Sequence, residues 1–209
     1  MPSAADPAQA LLQGPSPLNV ARALSMLLSF FGLAYLFLIV CGIVHRRRPA
    51  LGIAAFLGFF VFCLLEVQLR SVELFYVCLE LPSRYRAATS AAGRTLALQA
   101  QSTFEAVQHA LYFPLGLSWM VGSILVCAGL STKGPDRLAQ WAFGLNALRL
   151  LLRMLDSYAF GLRFDALYSA LYLPLVFLTF VPIAAWLLLR ASDSPTPTGI
   201  ADTATAEGR

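Results

Sequence analysis

The sequence predicts an all-α integral membrane protein, a five-helix transmembrane bundle containing two pseudo-repeated helical hairpins. Three observations carry this. Hydrophobic residues make up 58% of the chain and charged residues 12%, against about 25% charged in soluble domains. Apolar runs approach the ~20 residues needed to cross a bilayer as a helix. They are continuous rather than alternating, which argues against a transmembrane β-barrel. Finally, a row of charges follows two of these runs, and the second row repeats the first at an offset of 83 residues.

Residues 1–18 are rich in Pro and Ala and lack a basic stretch at the start, so they read as a disordered segment and not as a cleavable signal peptide. The membrane domain follows at 19–190, with spans expected at about 23–44, 51–81, 104–130, 137–160 and 165–190. An outer insert at 82–103 separates the second span from the third, and Arg94–Gln108 reads as a polar helix feeding the third. Residues 191–209 are Ser, Thr, Pro, Gly and Asp-rich and read as a disordered tail. Ala54 and Gly58 form a small-xxx-small pair on the second span, a pattern that permits close helix contact.

The positive-inside rule orients the bundle. Arg46, Arg47 and Arg48 abut the first span, Lys133 and Arg137 lie two spans later on the same side, and Arg190 ends the fifth. The N-terminus is therefore expected outside and the C-terminus inside, in a cytoplasmic (plasma) membrane. Arg84, Arg86 and Arg94 in the outer insert oppose that orientation. Lys133 is the one lysine, which reads as the codon bias of a GC-rich, bacterial genome. The net charge of +4 is scattered and gives no nucleic-acid signal.

The first charged row is Glu66, Arg70, Glu73 and Glu80, and the second is Arg149, Arg153, Asp156 and Arg163. Spacings of 4, 3 and 7 place each row on one helix face. A second match, at offset 60, aligns Phe104–Leu115 with Phe164–Leu175, seven of twelve positions being identical. Glu105, His109 and Tyr112 share a helix face there, and Asp165, Ser169 and Tyr172 repeat it. Spans two–three and four–five thus read as duplicated hairpins related by an axis along the membrane normal.

Charges inside a bilayer are costly and are paired or functional. If the two rows face each other, the expected pairs are Glu66–Arg149, Arg70–Asp156, Glu73–Arg153 and Glu80–Arg163. Such a ladder fixes helix register. Alternatively it lines a polar cavity in the outer half, where Arg149 and Arg153 hold an anionic group, since an Arg fork suits carboxylate or phosphate. The tyrosines and acids of the second face read either as interfacial anchors or as a rim of the same site, with His109 as a pH-sensitive member. Pro114 and Pro174 free carbonyls at Ala110 and Ala170 inside their spans.

No P-loop, GxSxG, HExxH, CxxC or dinucleotide fingerprint is present. Four separated cysteines and two histidines give no metal site, and no cofactor is expected. The function expected is non-enzymatic: a multi-pass binding or transport-type module. Its site would comprise Glu66, Arg70, Glu73, Arg149, Arg153 and Asp156, with Glu105, His109, Tyr112, Asp165 and Tyr172 at the rim. Its partners would be membrane lipid and a small anionic or amphipathic ligand. Two alternatives stand beside it: an accessory subunit bound to other membrane chains, and an intramembrane enzyme using Glu66 or His109 as acid–base.

Overall fold

A computed structural model describes residues 6–161 and 163–192. All regular structure among them is helical. Residues 1–5, 162 and 193–209 lie outside the described residues, and with them most of the expected C-terminal tail. Pro7–Gln13, inside the N-terminal segment expected to be disordered, forms a short helix, α1. Asp6 caps it by accepting from the Ala8 amide at 3.0 Å, and Pro7 opens its first turn. Leu11 gives this segment an apolar anchor, being almost completely buried.

The long helices follow. Ser16 caps and Pro17 starts α2 (Pro17–His45). After a three-residue basic turn, Pro49 starts α3 (Pro49–Ser71). α3 runs without a break into a π-helical segment (Val72–Glu80) and then into α4 (Leu81–Ala87). Only a short link separates α4 from α5 (Ala91–Gly129), which Ser90 caps through the Gly93 amide at 3.1 Å. α6 (Asp136–Tyr158) and α7 (Asp165–Ser192) complete the chain. Gly134 (φ 64°) and Gly161 (φ 65°) turn the backbone before and after α6, in the left-handed region that favours glycine.

The insert at 82–103 is therefore helical apart from the short link between α4 and α5. The helical runs Pro49–Ala87 and Ala91–Gly129 each hold 39 residues, about 58 Å at 1.5 Å per residue, roughly twice a ~30 Å hydrocarbon core. Their ends make a second small core, where Leu81 and Ala97 bury against Leu11 of α1. The main core joins α2, α3, α5, α6 and α7. Phe37 stacks on Phe59 at 3.9 Å, Phe62 on Trp119 at 4.5 Å, and Trp186 is fully buried at the end where α6 starts. α3 and α5 approach closely at Gly58 and Gly122. A Cβ on Gly58 would lie 2.9 Å from the Ser118 carbonyl oxygen, and one on Gly122 would lie 2.8 Å from the Phe59 ring. Gly58 thus meets the expectation of close contact, whereas Ala54 is exposed.

Four helical runs are long and apolar enough to cross a membrane: Pro17–His45, Pro49–Ala87, Ala91–Gly129 and Asp165–Ser192. Only 17–33% of their most apolar windows is buried inside the protein, and large side chains such as Phe31, Leu57 and Leu188 point outward. Helices that are apolar all round need a nonpolar surround, which identifies a membrane protein. α6 is not among the four. It carries Asp136, Arg137, Arg149, Arg153 and Asp156 within 23 residues, yet packs between α5 and α7.

Candidate functional site

The centre of interest is Arg149, in the middle of α6. It is 3% exposed, so its cost of desolvation is nearly complete. Among the described residues no carboxylate lies within salt-bridge distance of it. Its Nη2 donates to Asn146 Oδ1 at 2.9 Å, one turn earlier on the same helix. Asn146 Nδ2 in turn donates to Ser123 Oγ at 2.9 Å on α5, and Ser123 donates to the Trp119 carbonyl oxygen. The guanidinium carbon lies 5.1 Å from the Trp119 ring centre and 5.9 Å from that of Tyr172 on α7. Such cation–π contacts contribute about 2 kcal/mol when desolvated. Arg149 Nε has no hydrogen-bond partner.

One turn further, Arg153 lies over the Tyr168 ring at 4.6 Å and donates to Asp165 Oδ1 at 2.8 Å. Its Nη1 is 3.6 Å from Asp156 Oδ2. Asp156 is 4% exposed; its Oδ1 accepts from the Phe164 amide at 3.0 Å, while Oδ2 has no hydrogen bond. The α6 cluster therefore holds a buried donor, Arg149 Nε, and a buried acceptor, Asp156 Oδ2, that make no hydrogen bond, the acceptor being ion-paired with Arg153.

The first charged row is arranged differently. Arg70 Nε donates to Glu66 at 3.1 Å and its Nη1 to Glu73 at 2.5 Å, so one guanidinium is shared by two carboxylates of its own helical run. Tyr112 of α5 lies alongside. Glu80 pairs with Arg84 at 2.5 Å in an exposed contact. The π-helical segment begins at Val72, between Arg70 and Glu73, and π-helical turns occur often at functional sites.

The cross-helix ladder is overturned. None of Glu66–Arg149, Arg70–Asp156, Glu73–Arg153 and Glu80–Arg163 forms a salt bridge among the described residues. The physical reason is that α5 packs against both α3 and α6. Nearer partners take the charges instead: Arg70 holds Glu66 and Glu73, Arg84 holds Glu80, and Arg153 pairs with Asp156 and Asp165.

The rim residues separate likewise. Asp165 and Tyr172 join the α6 cluster, and Tyr112 joins Arg70. Glu105 accepts from Gln101 at 3.1 Å away from both groups. His109 is exposed and stacks on Tyr158 at 5.6 Å; the Tyr158 hydroxyl donates to the His109 carbonyl oxygen.

Sequence reasoning missed Trp119, Ser123, Asn146 and Tyr168. Asn146 was findable, as an amide three residues before Arg149 on the same helix face. It also missed a clasp at the basic end. Asp136, at the start of α6, is 2% exposed. It accepts from Trp186 Nε1 at 3.0 Å and Arg190 Nη1 at 2.6 Å on α7, and from Arg47 Nη1 at the end of α2. One carboxylate thereby ties three parts of the bundle. No metal-binding group of His, Cys, Asp and Glu occurs among the described residues.

No family model matches the chain, and neither a curated protein nor a solved structure matches it.

Proposed function

We propose that the chain is a membrane-embedded binding module of transport type, in which Arg149 receives the anionic group of a small amphipathic ligand. The observation that carries this is a buried guanidinium without a carboxylate and with a free Nε. Stability alone would favour pairing that charge, as at Arg70, or replacing it with an apolar side chain. A planar cation between two aromatic rings, with unused donor capacity, suits a carboxylate or phosphate. Asp156 Oδ2, ion-paired with Arg153 but without a hydrogen bond, offers an acceptor to a donor group on the same ligand.

In this reading α6 is the fifth span. Its 23 residues cover about 35 Å, and its polar face is covered by α5 and α7 rather than by lipid. Arg149 then lies about 20 Å from the Asp136 end, in the outer half of a ~30 Å core, if the basic end faces the cytoplasm. That basic end supports the orientation with N-terminus out and C-terminus in, in the plasma membrane. The paired hairpins retain a mark of duplication. Arg70–Glu73 and Arg153–Asp156 are both i,i+3 ion pairs, and they stand at the same offset of 83 residues.

The test is thermal unfolding of the detergent-solubilised protein against octanoate, acetate and phenyl phosphate. Saturable stabilisation by at least one anion, lost in Arg149→Met while that variant remains folded, is the expected result. Equal responses of wild type and Arg149→Met to every anion would overturn the assignment.

A further inference from the structure

A second site lies on the outer flank of α5 and α6, away from Arg149. A groove of about 610 Å³ opens there, lined by Cys127, Arg137, Gln140, Trp141, Gly144 and Leu148 among others. Gly144 lies on its wall, where a Cβ would meet only the Cys127 Sγ, at 3.8 Å. Gln140 turns its amide onto the Cys127 carbonyl oxygen at 3.1 Å, so its polar group is spent and the wall below is apolar.

The groove has a charged mouth and a fixed length. Arg137 stands in the first turn of α6, is exposed, and makes no salt bridge among the described residues. Its neighbours at this end are engaged: Arg47 and Arg190 hold Asp136, and Arg48 donates to the Ala128 carbonyl oxygen at 2.9 Å. Trp141 lies one turn deeper and is 70% exposed, which suits an indole at headgroup level. From Arg137 to Leu148 is eleven residues, about 16 Å, half of a ~30 Å hydrocarbon core and hence the depth of one leaflet.

We propose that this groove seats one anionic phospholipid. Its phosphate pairs with Arg137, and one acyl chain runs past Trp141 and Gly144 to Leu148. Charge selects the headgroup: Arg137 is the cation that lines the groove, and it makes no salt bridge among the described residues, the neighbouring Asp136 being held by Arg47 and Arg190. Each basic residue near a membrane surface attracts anionic lipid by about 1 kcal/mol, roughly fivefold in affinity.

The experiment uses the full chain in detergent, titrated with phosphatidylglycerol or phosphatidylcholine brominated along the acyl chains. Quenching of Trp141 is read as the difference between wild type and Trp141→Phe. The expected result is quenching that saturates near one phosphatidylglycerol per chain, with phosphatidylcholine about fivefold weaker. Arg137→Gln should bring the two lipids level, and Gly144→Leu, which fills the groove, should remove saturable quenching by both. Both substitutions fall at open positions, and unfolding temperature checks that the fold persists. Quenching that rises without saturation, or that is unchanged in Gly144→Leu, would assign these contacts to boundary lipid and overturn the proposal. Equal affinity of wild type for the two lipids would overturn the choice of an anionic headgroup.

Discussion

Arg70 and Arg149 are both arginines buried in polar clusters of one bundle, and they are handled in opposite ways. Arg70 sits between Glu66 and Glu73 and uses both ends of its fork on them. Arg149 is more deeply buried yet is given an amide, two ring faces and no acid. The first arrangement is closed: its charges need nothing from outside. The second is open: the Arg149 Nε donor has no hydrogen-bond partner, and no carboxylate lies within salt-bridge distance among the described residues. A charge that is merely structural is expected to resemble Arg70. The contrast therefore separates glue from site more sharply than burial does.

The comparison is broken or sharpened by substitution. The largest effect is expected at Arg70. Arg70→Met leaves Glu66 and Glu73 facing each other without a cation and should destabilise the fold by about 3–5 kcal/mol, read as a fall in unfolding temperature or midpoint in detergent. Arg149→Met orphans no carboxylate, so its stability should stay within about 1 kcal/mol of wild type or rise. If the two variants lose the same stability, the distinction fails.

Next comes the clasp. Asp136→Asn removes the charge that Arg47 and Arg190 share, but both arginines are partly exposed and recover water. A loss of about 1–3 kcal/mol is expected, with α7 loosened first, seen as faster amide exchange near Trp186. An Asp136→Asn protein as stable as wild type would make the clasp incidental. Asn146→Leu severs both the Arg149 and the Ser123 contacts and should cost about 1–3 kcal/mol, while also weakening any anion response. The smallest effect belongs to Glu80→Gln. Its pair with Arg84 is exposed and should be worth no more than about 0.5 kcal/mol; a larger loss would mean the outer extension depends on that contact.

The helices themselves were legible in the sequence, since apolar runs, Pro17 and Pro49 at first turns, and Ser16 and Ser90 as caps all act locally. The charged rows were legible too, including the spacing that makes Arg70–Glu73 and Arg153–Asp156 pairs. Which row each charge would face was not legible, because periodicity gives a face and not its neighbour. α5 lies against both α3 and α6, and that placement decided the outcome. Trp119 and Tyr168 were hidden for a similar reason: an aromatic side chain in an apolar helix carries no mark of the cation it will cover. Asp136 was hidden because its partners, Arg47 and Arg190, lie 89 and 54 residues away. The polar helix at Arg94–Gln108 was legible from its alanines and glutamines, whereas its start at Ala91 and the continuation of α3 through Leu81–Ala87 were not, because Ser, Thr and Arg there carry no helical periodicity.

The most direct test of the central claim is native mass spectrometry of protein extracted gently from its own membrane, comparing wild type with Arg149→Met. The account predicts a small anionic molecule that stays with the wild-type chain and is missing from the variant, while Arg70-dependent stability is intact in both. A wild-type chain free of any such molecule, or one retained equally by Arg149→Met, would contradict it.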